Sequence, residues 1–167
     1  PLYSSAASDV YKRQVEGEIA AYTRDLRDPM KNVSHIWRWG ELRGGTPAIL
    51  VDPLFYLSFF HSSNIPSRKS NWLQTYVFGA YTFCPVHPYK ILKISSSPIV
   101  HPSMYEGPWV DDPIAASYID YVVFPMTFVL SDGYIYLSYG AQDSDGWIAK
   151  LDYKALLDSL VVINESC

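Results

Sequence analysis

The amino-acid sequence predicts an all-β domain, and three observations carry that prediction. Short apolar or alternating segments recur along the 167 residues. Turn residues, Asp-Pro, Asp-Gly and Pro-rich stretches, separate them. Nothing alternates strand with helix, as a parallel α/β sheet would require. A sandwich, a barrel and a propeller all satisfy this pattern.

The elements follow in order. Residues 15–45 are polar and irregular, with Trp37 and Trp39 near their end. "TPAILV", residues 46–51, reads as a short buried strand, and Asp52-Pro53 as a turn. "FYLSFFH", residues 55–61, is aromatic and β-rich. "SSNIPSRKSN" is a loop. "TYVFGAYTF", residues 75–83, alternates as a strand does. "CPVHP" breaks the pattern and "YKILKIS", residues 89–95, resumes it. Residues 96–118 are Pro-rich and loop-like. "YVVFPMTFVL" (121–130) and "YIYLSYG" (134–140) flank Asp132-Gly133, which supplies the positive φ of a hairpin turn. "GWIAKLDY", residues 146–153, adds a strand, and "KALLDSL", residues 154–160, a short terminal helix.

Composition bounds the function. The hydrophobic fraction of 49% and aromatic fraction of 16% support a packed core and argue against disorder. The net charge of −4 disfavours nucleic acid as a partner, which calls for a basic stripe. No apolar run reaches the roughly 18 residues of a membrane span. Cys84 and Cys167 cannot build a multi-bridge disulfide framework, no CxxC is present, and the redox compartment stays open. Residues 1–14, "PLYSSAASDVYKRQ", match the translation of a sequencing-library adapter. They are set aside as non-native, so the expected native chain begins near Val15, with its true N-terminus further upstream.

Individual residues each have a plain reading beside a functional one. His61, at a strand end, is a ligand contact or a half-exposed histidine beside a loop. His35, His87 and His101 show no metal-ligand spacing. Asp143 lies past a strand end in a loop with Asp145, where carboxylates are commonly solvated. "DSDG", residues 143–146, lacks a calcium loop, because Lys154 stands where the twelfth-position Glu belongs. Glu106, in "MYEGPW", is equally open. The Trp residues can pack in a core or stack on sugar rings. Asn32 and Asn164 open Asn-x-Ser glycosylation triplets, a weak pattern without a sign of secretion.

Read together, the pieces say more. "RGGTPAILV…YLSFFHSS", "TYVFGAYTF…HPYKILKISSSPIVHP…YEGPW" and "YVVFPMTFVLSDGYIYLSYGAQDSDGWIAKL" occur in that order. This set resembles the C-terminal part of glycoside hydrolase family 130, the β-mannoside phosphorylases and β-1,2-mannosidases, over most of residues 40–152. The resemblance implies a partial β-propeller: about three blades of a five-bladed ring at the usual repeat length. It implies that Arg43 and His61 face an axial pocket, where such side chains hold inorganic phosphate as co-substrate. Asp143 would hydrogen-bond the sugar in the −1 subsite, and Glu106 would line the cleft of an oligosaccharide substrate. Cleavage would invert the anomeric carbon. The general acid is an aspartate on an earlier blade, outside this chain, which alone is expected to be inactive. No metal or organic cofactor is implied. Met126 and Thr127 replace the family's Cys-Gly pair and would reshape the pocket edge. The alternatives are a non-catalytic glycan-binding propeller and a structural β-domain without a site.

Overall fold

The computed structural model describes residues 33, 35–64, 75–87, 89–105 and 121–167, and the compact unit that holds the fold spans His35–Cys167. Its elements are β1 (Arg43–Gly45), β2 (Ile49–Asp52), β3 (Phe55–Asn64), β4 (Thr75–Phe83) and β5 (Ile91–Ile94). A 3-10 turn (Pro102–Tyr105) precedes β6 (Val123–Ser131), β7 (Tyr134–Ala141), β8 (Asp145–Asp152), helix α1 (Tyr153–Ser159) and β9 (Val161–Val162).

The strands form two antiparallel sheets and no closed barrel. The first runs β1-β3-β4-β5-β9, with β2 also paired to β3; the second is the meander β6-β7-β8. The all-β expectation holds, and two blade-like sheets are what a partial propeller requires. Of the three blades expected, two sheets stand among the described residues, and the adapter-like stretch 1–14 lies outside them.

Why these strands form is legible in their alternation. In β7 the odd positions Ile135, Leu137, Tyr139 and Ala141 are buried, while Tyr134 is exposed and Tyr136, Ser138 and Gly140 are half-buried. This is the period-two signature of a strand with one face on a core. That face meets Leu57, Phe59, Phe78 and Ala80 of the first sheet, with Val123, Phe128, Leu156 and Leu160 completing the core. Phe59 sits edge-on to Phe128 at 5.1 Å, which places an aromatic pair between the sheets. The opposite face of the second sheet leaves Val129 and Ile148 in solvent at 59% and 71% exposure.

The edge strand beside β3 is broken at Thr46-Pro47, because proline has no N–H to give a ladder. Thr46 mends the break. Its N–H donates to Phe59 O at 3.0 Å, and its Oγ1 accepts from Phe59 N at 3.0 Å. Ser58 Oγ donates to Thr46 O at 3.0 Å. A side chain thus stands in for a missing backbone partner.

The C-terminus is strapped across the first sheet. β9 pairs with β5 through Lys93–Val162 and Ile94–Val161. The N–H groups of Ile163 and Asn164 both donate to Leu92 O, at 2.7 and 3.1 Å. Asp152 caps α1 by accepting from Ala155 N at 2.8 Å. Cys84 and Cys167 form a disulfide, with Cα atoms 5.6 Å apart. The expectation that two cysteines make no framework stands, and the structure adds one bridge, because the strap returns the chain end to the end of β4.

Candidate functional site

Arg43 and His61 are cross-strand partners. The register of β1 against β3 pairs Arg43 with His61 and Gly45 with Phe60, with a bulge between Arg43 and Gly45. "RGG" is therefore a short strand, where the sequence read as irregular. Gly45 is required by close approach: a Cβ there would lie 2.3 Å from Phe59 O. Gly44, one residue earlier, faces open space.

The approach to β1 is also fixed. Gly40 has φ of +110°, and a Cβ there would strike Ser63 O at 2.3 Å. Ser62 Oγ donates to Glu41 O at 2.6 Å and accepts from Trp37 Nε1 at 3.1 Å. Trp37 packs edge-on against Phe60 at 4.7 Å, so it is a core residue. Trp39 and Trp147 are exposed, at 43% and 55%, so of the two roles open to the tryptophans core packing does not apply to them. Glu41 pairs with Arg43 at 3.5 Å across exposed surface, a contact weak in energy but orienting.

His61 is half-buried. Its ring stacks on Tyr76 at 6.2 Å and tilts against Phe124 at 4.5 Å. Nδ1 is hydrogen-bonded to Gly44 O. A carbonyl only accepts, so Nδ1 carries the proton, and Nε2 of the neutral ring is an acceptor. Burial holds the imidazole pKa below its ordinary value of 6.5; the Gly44 bond opposes this, and the Arg43 charge adds to it. The neutral ring is therefore the resting form near pH 7.

Asp143 lies in the turn between β7 and β8. Gln142 and Asp143 both have positive φ, 54° and 52°, a conformation that Asp tolerates and that tight hairpins use. Gln142 anchors this turn: its N–H donates to Val122 O at 2.9 Å, and its Oε1 accepts from Val122 N at 2.6 Å. The carboxylate of Asp143 is left exposed. One strand, β6, touches both His61 and the strand that leads into this turn. Phe124, in contact with His61, is the strand partner of Gly140, three residues before Asp143.

Glu106 lies outside the described residues. Tyr105, just before it, is tied to the same neighbourhood: its hydroxyl donates to Tyr76 O at 2.7 Å. Burial pushes the Tyr105 phenol up to about 12, so it stays a donor. β4 also meets the residues just before β6 here, through Tyr76 N to Tyr121 O at 2.7 Å. Met126 and Thr127 stand exposed at a bulge in β6.

Sequence reasoning missed Tyr76, Phe124 and Gln142. Tyr76 and Phe124 were hidden among many strand aromatics. Gln142 had a usable signal, an amide directly before an acidic turn residue. The chemistry on offer is a planar cation, a neutral imidazole acceptor and an exposed carboxylate, a set able to orient hydroxyls and an oxyanion. A separate concavity of about 620 Å³ lies toward the other end of β3, lined by Leu54, Phe55, Leu92, Leu157 and Val162.

No protein-family model matches the chain, and no curated protein matches it. Among solved structures it is similar to a β-1,2-mannobiose phosphorylase from Listeria innocua in complex with β-1,2-mannobiose. Identity is 18% and the TM-score 0.52, over 71% of this chain and 30% of that one. A structure from Bacteroides ovatus, named as a glycoside hydrolase, aligns at 23% identity and a TM-score of 0.46, over 66% of this chain and 31% of that one. One from Bacteroides thetaiotaomicron, named as a glycosidase, aligns at 22% and 0.47 over the same shares. The chain thus spans about 30% of the length of the phosphorylase, and its two sheets share the fold of a part of that protein.

Proposed function

We propose that this chain is part of a longer carbohydrate-active protein that cleaves β-mannosides with inversion, with phosphate or water as the attacking group. The observation that carries the reading is the Arg43–His61 strand pair, with the His61 tautomer set by Gly44 O, on a fold shared with a mannobiose phosphorylase.

Each residue has a role under this reading. Arg43 supplies a planar fork for a phosphate oxygen pair. His61 Nε2 accepts from a sugar hydroxyl or from the P–OH of hydrogen phosphate. Asp143 accepts from paired hydroxyls of the sugar in the −1 subsite, and Glu106 lines the same cleft. Protonation of the departing oxygen falls to a carboxylic acid supplied by the rest of the protein. The exposed face carrying Val129 and Ile148 is where a further blade would pack.

The test uses the product of the complete gene. Sugar release from β-1,2- and β-1,4-mannobiose is measured with and without inorganic phosphate. Arg43→Ala is expected to raise the phosphate KM by roughly tenfold or more, as loss of a charge-assisted pair does. His61→Ala and Asp143→Asn are expected to lower kcat/KM for the disaccharide. No turnover across a broad oligosaccharide panel defeats the enzyme reading. Turnover that is indifferent to all three substitutions defeats the site.

A further inference from the structure

The C-terminal strap carries a motif that the carbohydrate reading does not use. Asn164, Glu165 and Ser166 form an Asn-x-Ser triplet with no proline in the middle. Such a triplet is informative only in a chain exposed to an oxidising, glycan-adding compartment. The disulfide supplies that ground. Cys167 follows the triplet directly and is bonded to Cys84, and protein disulfides persist mainly in oxidising compartments.

The placement of Asn164 also suits the modification. The residue is exposed and sits at the rim of the concavity lined by Leu54, Phe55 and Leu157. Its backbone N–H is held by Leu92 O at 3.1 Å, and its Nδ2 donates to Ile91 O at 2.6 Å. An N-glycosidic link consumes one Nδ2 hydrogen and leaves the other, so the bond to Ile91 survives glycosylation.

We propose that Asn164 is an N-glycosylation site and that the chain matures in an oxidising compartment that attaches glycans. The donor class is an oligosaccharide on a polyprenyl diphosphate. The Asn164 C–N bond forms at the anomeric carbon as the C–O bond to the diphosphate breaks. The diphosphate leaves with the electron pair, and one amide proton passes to a base of the transferase. Because Nδ2 and the backbone are engaged once the strap docks, transfer precedes docking and closure of the Cys84–Cys167 bridge. Closure itself moves two electrons and two protons from the thiols to an incoming protein disulfide.

The test expresses the full 167-residue chain behind a cleavable secretion leader in eukaryotic secretory cells. Peptides are mapped with and without reduction, before and after peptide-N-glycosidase. Asn164 is expected to be converted to Asp by the glycosidase in most molecules, on a peptide linked to Cys84 through Cys167. Ser166→Thr should keep the glycan, and Ser166→Ala should abolish it. A mild reductant present during synthesis should raise occupancy by delaying closure. The peptide map keeps Asn164 distinct from Asn32. A secreted, disulfide-bonded chain with unmodified Asn164 overturns the proposal, and so does a secreted chain with both thiols free. Should Ser166→Ala fail to leave the cell, the map of the unsubstituted chain decides.

Discussion

Opening the Cys84–Cys167 bridge should cost this domain a large share of its stability. The two cysteines are separated by 83 residues. A link of that span removes chain entropy from the unfolded ensemble worth about 4.5 kcal/mol at 25 °C on the loop-closure relation. The folded state bears little of the effect, because β9 pairing and the bonds to Leu92 O hold the strap independently. A domain of this size loses about 2–4 °C of Tm per kcal/mol. The double substitution Cys84→Ala with Cys167→Ala should therefore lower Tm by roughly 9–18 °C relative to the oxidised chain. The assay is urea and thermal unfolding, followed by far-ultraviolet circular dichroism, of oxidised, reduced and doubly substituted protein. The reduced and substituted forms should coincide. Equal stability of all three forms would refute the reasoning, since it would mean that the bridge constrains nothing in the unfolded chain.

Four further outcomes follow from the first sheet. Gly45→Ala places a methyl group 2.3 Å from Phe59 O and should cost about 1–3 kcal/mol in urea unfolding. Gly44→Ala meets nothing within 4 Å and should stay within about 0.5 kcal/mol of the parent. Thr46→Val removes the acceptor for the buried Phe59 N–H and should cost about 1–3 kcal/mol, with faster hydrogen exchange at that amide. His61 has a folded-state pKa below 6.5, so the unfolded chain binds its proton first as pH falls. Its stability contribution is thus complete above pH 6.5 and declines as pH drops from there toward the folded pKa. Unfolding free energies across pH 7 to 5 should show this decline, and His61→Phe should flatten it.

The sequence showed the strands whose physics is local. Residues 75–83 match β4 residue for residue, because their aromatic and β-branched side chains favour a strand; Val77 to Ala80 are all buried, so this central strand is covered on both faces. The hairpin at Asp132-Gly133 appears as expected, since Asp132 and Gly133 both adopt positive φ. β1 was not legible. Glycine is poor in strands, and "RGG" becomes one only because β3 offers an edge and Gly45 can press against Phe59 O. The two-residue β9 and the disulfide were hidden for a related reason. Both depend on α1 turning the chain back to β5, a long-range event that no window of sequence reports. Of the site, His61 and Arg43 were named from the motifs, but their being direct strand partners belongs to register. Asp143 was placed in the right loop. The positive-φ turn that presents it, and the clamp of Gln142 on Val122, follow from packing.

The broken rim of the first sheet bears on how this protein meets other polypeptides. A visiting strand needs a continuous row of free amides and carbonyls to lie against. The rim beside β3 offers only interrupted lengths, bulged in both β1 and β2 and parted by Pro47. β8, by contrast, keeps an unbroken register over eight residues on its paired side. Among the described residues no strand pairs with its other side, so a guest ribbon, or the first contact of a growing aggregate, would seat on β8. There Lys150, resting 3.8 Å over the Tyr134 ring, is the one cationic gatekeeper along that strand.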